Sequence, residues 1–152
     1  MSDNETICLS VFGKPAGSGS KTAYKTPEGK MIVTPASKYQ KPWQEAVKWT
    51  FLQSEYTKMI PLTEPLTVDI IFVFVRSKSH YGAGKNAGKL KVSAPAYPDK
   101  RPDIEKLARS TNDALTGLAW KDDSQIVNLT LQKVYGDRSG AQIEIKKLEA
   151  GE

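Results

Sequence analysis

The segment KRPDIEKLAR (100–109) sets two carboxylates, Asp103 and Glu105, two positions apart among Lys100, Arg101, Lys106 and Arg109. A second acidic pair, Asp122 and Asp123, follows in WKDDSQ. Carboxylates brought together repel unless a cation sits among them. Mg2+ suits such oxygen ligands, commonly binding through one or two carboxylates plus water and substrate phosphate. A bound ion of that kind activates water and offsets charge that builds on a phosphodiester. A purely structural account also fits. Asp103 follows Pro102 and opens a helical pattern, so its carboxylate would accept the free amides of the first turn. Glu105 in that turn would complement the positive end of the helix dipole. Each effect is worth about 1 kcal/mol or less. Arg109 and Asp113, four apart, would form a solvated pair, and KDDSQ reads as a turn into a strand. Spacing alone leaves both accounts open.

Other chemistries are excluded more firmly. His80 is the single histidine, which rules out sites needing two, including zinc-type and histidine-finger nuclease motifs. The single cysteine, Cys8 in ICLSVF, excludes an internal disulfide and a cysteine-based zinc site. It reads as a half-buried structural thiol. The charge balance is basic, 22 Lys plus Arg against 17 Asp plus Glu for a net +5, which favours a polyanionic partner without proving one. Residues 76–102 concentrate that charge, with seven Lys or Arg against one acid among glycines and prolines. They read either as a solvated insertion or as a flexible basic loop that closes on a phosphate backbone by displacing counterions.

The elements that must position these groups follow from periodicity. TICLSVFG (6–13) reads as a strand ended by the Gly- and Pro-rich GKPAGSGSK, and KMIVTP (30–35) as a short strand after the turn TPEGK. KPWQEAVKWTFLQSEY (41–56) reads as a helix, with Trp43, Ala46, Val47, Thr50 and Phe51 on one stripe and Trp49 off it. LTVDIIFVFV (66–75) is apolar on both faces apart from Asp69, which predicts a central strand covered on both sides. A second helix begins at Ile104, its stripe being Ile104, Leu107, Ala108, Leu115 and Leu118, and frays at Gly117. QIVNLTLQKVYG (125–136) alternates as a strand with one wet face. AQIEIKKL (141–148) alternates too and would pair with it as a hairpin through GDRSG. The expected fold is mixed α/β (α+β): one domain over 1–152, a mixed sheet with two main helices packed against it. The N-terminus lacks a signal-peptide layout, and IIFVFV is far shorter than the roughly 20 residues that span a bilayer. A cytoplasmic protein without membrane contact is the expectation.

RPDIEKLARSTNDALTGLAWKDDSQIVNLTLQKVYG (101–136) resembles the signature segment of the RusA family of crossover-junction endodeoxyribonucleases. That pattern runs Pro-Asp-Ile-Asp-Asn-Leu-Leu-Lys, then Leu-Asp-Ala-Leu-Asn/Thr-Gly, then Asp-Asp-Ser-Gln before a strand. VFGKPAGSGSK resembles, more loosely, the family's first strand and basic Gly/Pro-rich loop; residues 76–99 carry no resemblance. The resemblance implies a RusA-like homodimer of phage or prophage type, acting in DNA recombination and repair. It implies a Mg2+-dependent enzyme, with Mn2+ an expected substitute, that resolves four-way (Holliday) DNA junctions by paired nicks. Metal-binding carboxylates would fall on Asp103, Glu105 and Asp123, with Asp122 the near alternative to Asp123, and the family's functional lysine on Arg109. Asp113 matches an acid inside the helix and reads as structural.

Two departures stand out: Glu105 replaces an Asp and is one methylene longer, and Arg109 replaces a Lys. Arg109 keeps the positive charge, but a guanidinium does not readily deprotonate; Lys106, where the pattern has Asn, would supply an ammonium instead. Backbone contacts are expected from Lys14, Lys21, Lys85, Lys89, Lys91, Lys100 and Arg101. The alternative reading is a non-catalytic module that binds branched DNA, its acids only capping a helix and lining a turn.

Overall fold

The computed structural model describes residues 6–19, 22–34 and 38–149. The expected backbone contact Lys21 lies outside the described residues. The chain runs β1 (Ile7–Phe12), β2 (Thr22–Lys25), β3 (Met31–Thr34), α1 (Gln40–Leu52), β4 (Leu66–Phe74), α2 (Ile104–Leu115), β5 (Ile126–Tyr135) and β6 (Gly140–Lys147). One four-stranded sheet has the order β1-β6-β4-β5, and β2 and β3 form a separate antiparallel hairpin. This is the mixed α+β architecture expected, with one strand, β2, that the Gly-rich sequence around it had concealed.

The sheet buries one face. Register aligns Leu9 with Ile143 and Ile143 with Ile70, and likewise Ile7, Ile145 and Val68, so rows of buried apolar side chains cross β1, β6 and β4. Trp43, Val47 and Phe51 of α1 and Leu107, Ala114 and Leu115 of α2 join the same core. Burying each large side chain is worth about 1.5–3 kcal/mol, well above any difference in helix propensity, so the stripe decides α1. Trp49, off the stripe, is exposed.

Two expectations are corrected. β4 is central but covered on one face only, because Ile71 on the opposite face is exposed. And β6 does not form a hairpin with β5. It inserts between β1 and β4, antiparallel to both, while β5 runs parallel to β4 on its far side. The reason is burial: Ala141, Ile143 and Ile145 are all fully covered, and an interior slot supplies two partners for one strand. The link between β5 and β6 crosses the end of β4 closely. A Cβ on Gly136 would stand 2.6 Å from Val73 Cγ1, and one on Gly140, the first residue of β6, would collide with the Val11 carbonyl oxygen of β1. No helix among the described residues is long and apolar enough to cross a membrane.

Candidate nuclease site

Helix α2 organises the candidate residues. Leu107, Ala108, Ser110, Thr111, Asn112, Ala114 and Leu115 are buried, which leaves Glu105, Lys106, Arg109 and Asp113 on the solvent side. Glu105, Arg109 and Asp113 are each four apart and so line one stripe, acid, base, acid. The buried polar residues were not anticipated; Ser110 and Thr111 have partners, whereas the buried Asn112 Oδ1 has none among the described residues. Thr111 Oγ1 accepts from the Trp43 indole at 3.0 Å, and Ser110 Oγ donates to the Ala16 carbonyl. These bonds tie α2 to α1 and to the Gly-rich loop.

Asp103 occupies the N-cap position, with extended backbone at φ −66° and ψ 139°. Its carboxylate nevertheless makes no capping bond to the first turn, which corrects that part of the structural account. It lies 3.8 Å from Lys106 Nζ and is exposed. The approach to it is held by a residue that sequence reasoning missed. Lys133 of β5 donates to the carbonyls of Lys100 at 2.7 Å and Pro102 at 2.9 Å. A lysine on the wet end of an alternating strand carries no signal of such a long-range contact.

Two clefts meet at this ridge. One, about 550 Å³, is lined by Lys14, Tyr39, Arg101, Asp103 and Lys106 together with the Gly-rich loop. That loop is flush with α2: the Ser18 amide donates to the Lys106 carbonyl at 3.0 Å, and a Cβ on Gly17 would stand 2.8 Å from Lys106 Cβ. The other, about 760 Å³, is lined by Tyr97, Lys100, Arg101, Asp103, Glu105 and Lys133. Lys14 therefore shares a cleft with Asp103, and Lys100 and Arg101 share one with both Asp103 and Glu105. Lys85, Lys89 and Lys91 are exposed in the 76–102 segment, which carries two single-turn helices, Lys78–His80 and Gly84–Asn86. Its base is attached to the end of β5. Arg76 donates to the Pro95 carbonyl and stacks 4.2 Å over Tyr135, whose ring His80 meets edge-on.

The second acidic pair lies at the other end of α2 and divides its work. Asp122 caps the short turn Asp123–Gln125, accepting from the Ser124 amide at 2.8 Å while Gln125 Oε1 accepts from the Asp122 amide at 2.7 Å. The Ser124 amide holds the Asp122 pKa below its ordinary value. Asp123, itself exposed, bonds back to the end of α2 instead. Its Oδ1 accepts from the Thr116 hydroxyl and, at 3.0 Å, from the indole of the fully buried Trp120. Asp113 lies against it. Burial first, and the Asp123 carboxylate second, push the Asp113 pKa up, against the opposing field of Arg109. Among the described residues Arg109 and Asp113 close no ion pair.

The structure thus brings Asp113 to Asp123 and keeps Asp103 with Glu105. It does not join the two sets. Glu105 and Asp113 stand eight residues apart along α2, about 12 Å at the helical rise. Among the described residues no three His, Cys, Asp or Glu side chains gather closely enough to hold one metal ion.

The family model described as Endodeoxyribonuclease RusA matches residues 13–146, from the Gly-rich loop through β6. The chain belongs to the RusA family. Both acid pairs, the basic loop and the α2 scaffold lie inside that span. The chain is also similar to an uncharacterized protein, YqaN, of Bacillus subtilis (strain 168), at 25% identity over 147 residues, 96% of this chain and 99% of that one. RusA membership implies a junction-resolving endodeoxyribonuclease, and it gives the exposed acids beside two basic clefts a chemical context.

Proposed function

We propose that this RusA-family chain is a divalent-metal-dependent, structure-selective endonuclease that resolves four-way DNA junctions by paired symmetric nicks as a homodimer. One observation carries the reading. Asp103 stands where a helix cap belongs, yet its carboxylate caps nothing and opens between two clefts lined by Lys14, Lys100, Arg101 and Lys106. A carboxylate spent on capping would accept from the amides of the turn it opens, as Asp122 does.

The donor set is oxygen only and suits a hard cation. Asp103 with Glu105, or Asp113 with Asp123, offers the one or two carboxylates that Mg2+ commonly uses, with Mn2+ an acceptable replacement. Among the described residues no three carboxylates gather, so Asp103, Glu105 and Asp123 do not form a single centre within one protomer. What the chain's own groups supply is clearer. Lys100, Arg101 and Lys106 would seat a phosphate beside Asp103. Arg109, one turn on, would add charge for a developing phosphorane without transferring a proton.

The divided acids support the dimer. Strand β5 is a sheet edge, and among the described residues nothing pairs with its outer side. Asp123 immediately precedes it, and Lys133 near its far end holds the backbone before Asp103. Two β5 edges paired antiparallel about a two-fold axis would run the Asp123 end of each toward the Asp103 end of the other. Two equivalent sites would match two equivalent strands of a junction.

The direct test is nicking of a synthetic four-way junction with and without Mg2+, set beside forked and linear DNA of the same sequence. Asp103→Asn should abolish nicking while junction binding persists. Full cleavage by that variant overturns the assignment, and binding without cleavage in the unaltered protein under any divalent metal would favour a non-catalytic module.

A further inference from the structure

The cleft between the Gly-rich loop and the start of α2 carries a feature that no catalytic role explains. Tyr39, immediately before α1, is part of its lining and is 43% exposed. Two ammonium groups sit against its ring: Lys14 Nζ is 4.2 Å from the centroid and Lys38 Nζ 5.2 Å. The rest of the lining is small or cationic, with Pro15, Ala16, Gly17 and Gly19 between Lys14 on one side and Arg101 and Lys106 on the other. Among the described residues Asp103 is the single acid there, and it already faces Lys106 at 3.8 Å. An apolar pocket would suit a buried base or a neutral ligand. This one carries three cations, Lys14, Arg101 and Lys106, among small residues, which suits an extended polyanion.

Lysine stems are flexible, and ordering one at a free surface costs entropy that weakens a phosphate contact. A tyrosine face attracts an ammonium through its quadrupole and restricts where it goes. We propose that this cleft is a groove for the sugar–phosphate backbone of a DNA strand, and that Tyr39 is its positioning residue, holding Lys14 and Lys38 in place opposite Arg101 and Lys106. The proposal rests on the reading that the chain acts on DNA, and it adds which strand path leads to Asp103 and what keeps that path charged. Tyr39 touches no reacting atom in this scheme; it acts through the two lysines.

The test is fluorescence anisotropy of a labelled synthetic four-way junction in EDTA, across a salt series, so that no cleavage enters the readout. Tyr39→Leu should weaken binding about 3- to 10-fold at moderate salt and lower the slope of log K against log salt by about one to two. Tyr39→Phe keeps the ring and should retain both affinity and slope. In a Lys14→Ala background Tyr39→Leu should cost clearly less, because the ammonium nearest its ring is gone. Lys38→Ala, an exposed change that leaves packing alone, should itself lower the slope by about one, which reads the proposal even if Tyr39→Leu fails to fold. An unchanged slope in Tyr39→Leu or Lys38→Ala, a Tyr39→Phe as weak as Tyr39→Leu, or full additivity with Lys14→Ala overturns it. Absence of junction binding by the unaltered protein would overturn the nuclease reading as well. Normal binding with an indifferent Tyr39 overturns this proposal alone.

Discussion

The carboxyl of Asp113 lies against that of Asp123 at the C-terminal end of α2, where burial and like charge together favour its protonated form. A carboxyl whose folded pKa is raised contributes stability below its ordinary value of 3.8 and loses it as pH rises through the higher folded value. Asp113→Asn should therefore be stabilising at neutral pH in EDTA, by roughly 0.5 kcal/mol or about 2 °C in Tm after solvent screening. The advantage should vanish below pH 3.8, where the native carboxyl is protonated in both states. Thermal melts of both proteins from pH 3 to 8 check this, and an advantage independent of pH would contradict it.

Asp122 has the opposite sign. Its pKa is held down by the Ser124 amide, so its contribution is present above the ordinary value and is lost as pH falls through the lower folded one. Asp122→Ala should lower Tm at neutral pH and leave it unchanged in strong acid, while Mg2+-dependent nicking by the folded variant persists. Loss of nicking at full stability would instead make Asp122 a functional group.

The bond from the Trp43 indole to Thr111 joins the two helices inside the core. Thr111→Val removes the acceptor and keeps the shape, leaving a buried N–H without a partner. That should cost about 1–3 kcal/mol, read as a drop of several degrees in Tm. Pairing it with Trp43→Phe should recover none of the lost aromatic volume but should show coupling in a double-mutant cycle. Strict additivity would mean that the bond adds nothing.

Lys133 holds the two carbonyls that lead into Asp103. Lys133→Met keeps the stem and removes the donor. Nicking should fall on the order of 10-fold or more, since misplacement of about 1 Å at a reacting group can cost 10²-fold. Junction affinity should fall by much less, because one charge among many is lost. Equal losses in cleavage and affinity would make Lys133 a backbone contact only.

Much of the fold is written in periodicity. The alternation of β1 and β6, the stripe of α1 through Trp43, Val47 and Phe51, and the start of α2 after Pro102 all appear where the residue pattern places them. A repeat of two or 3.6 reports which face a segment must bury, and that is a local property. The order of residues 101–136 likewise carried the RusA likeness, which the match over 13–146 bears out. Which neighbours a strand takes is not local. Ala141, Ile143 and Ile145 alternate the same way in a hairpin as between β1 and β4, and only completion of the core selects the second. The same limit governs the acids. Asp103 reads as a cap in sequence and Asp122 as part of a turn, yet side-chain direction decides that Asp122 caps and Asp103 does not. The junction of Asp113 with Asp123, the reach of Lys133 and the ring of Tyr39 between two lysines depend on how α2, β5 and the Gly-rich loop pack. Residue order therefore determined the kinds of chemistry available, while tertiary packing decided which carboxylates and cations share a site, because electrostatic contact falls off over a few ångströms that chain separation does not encode.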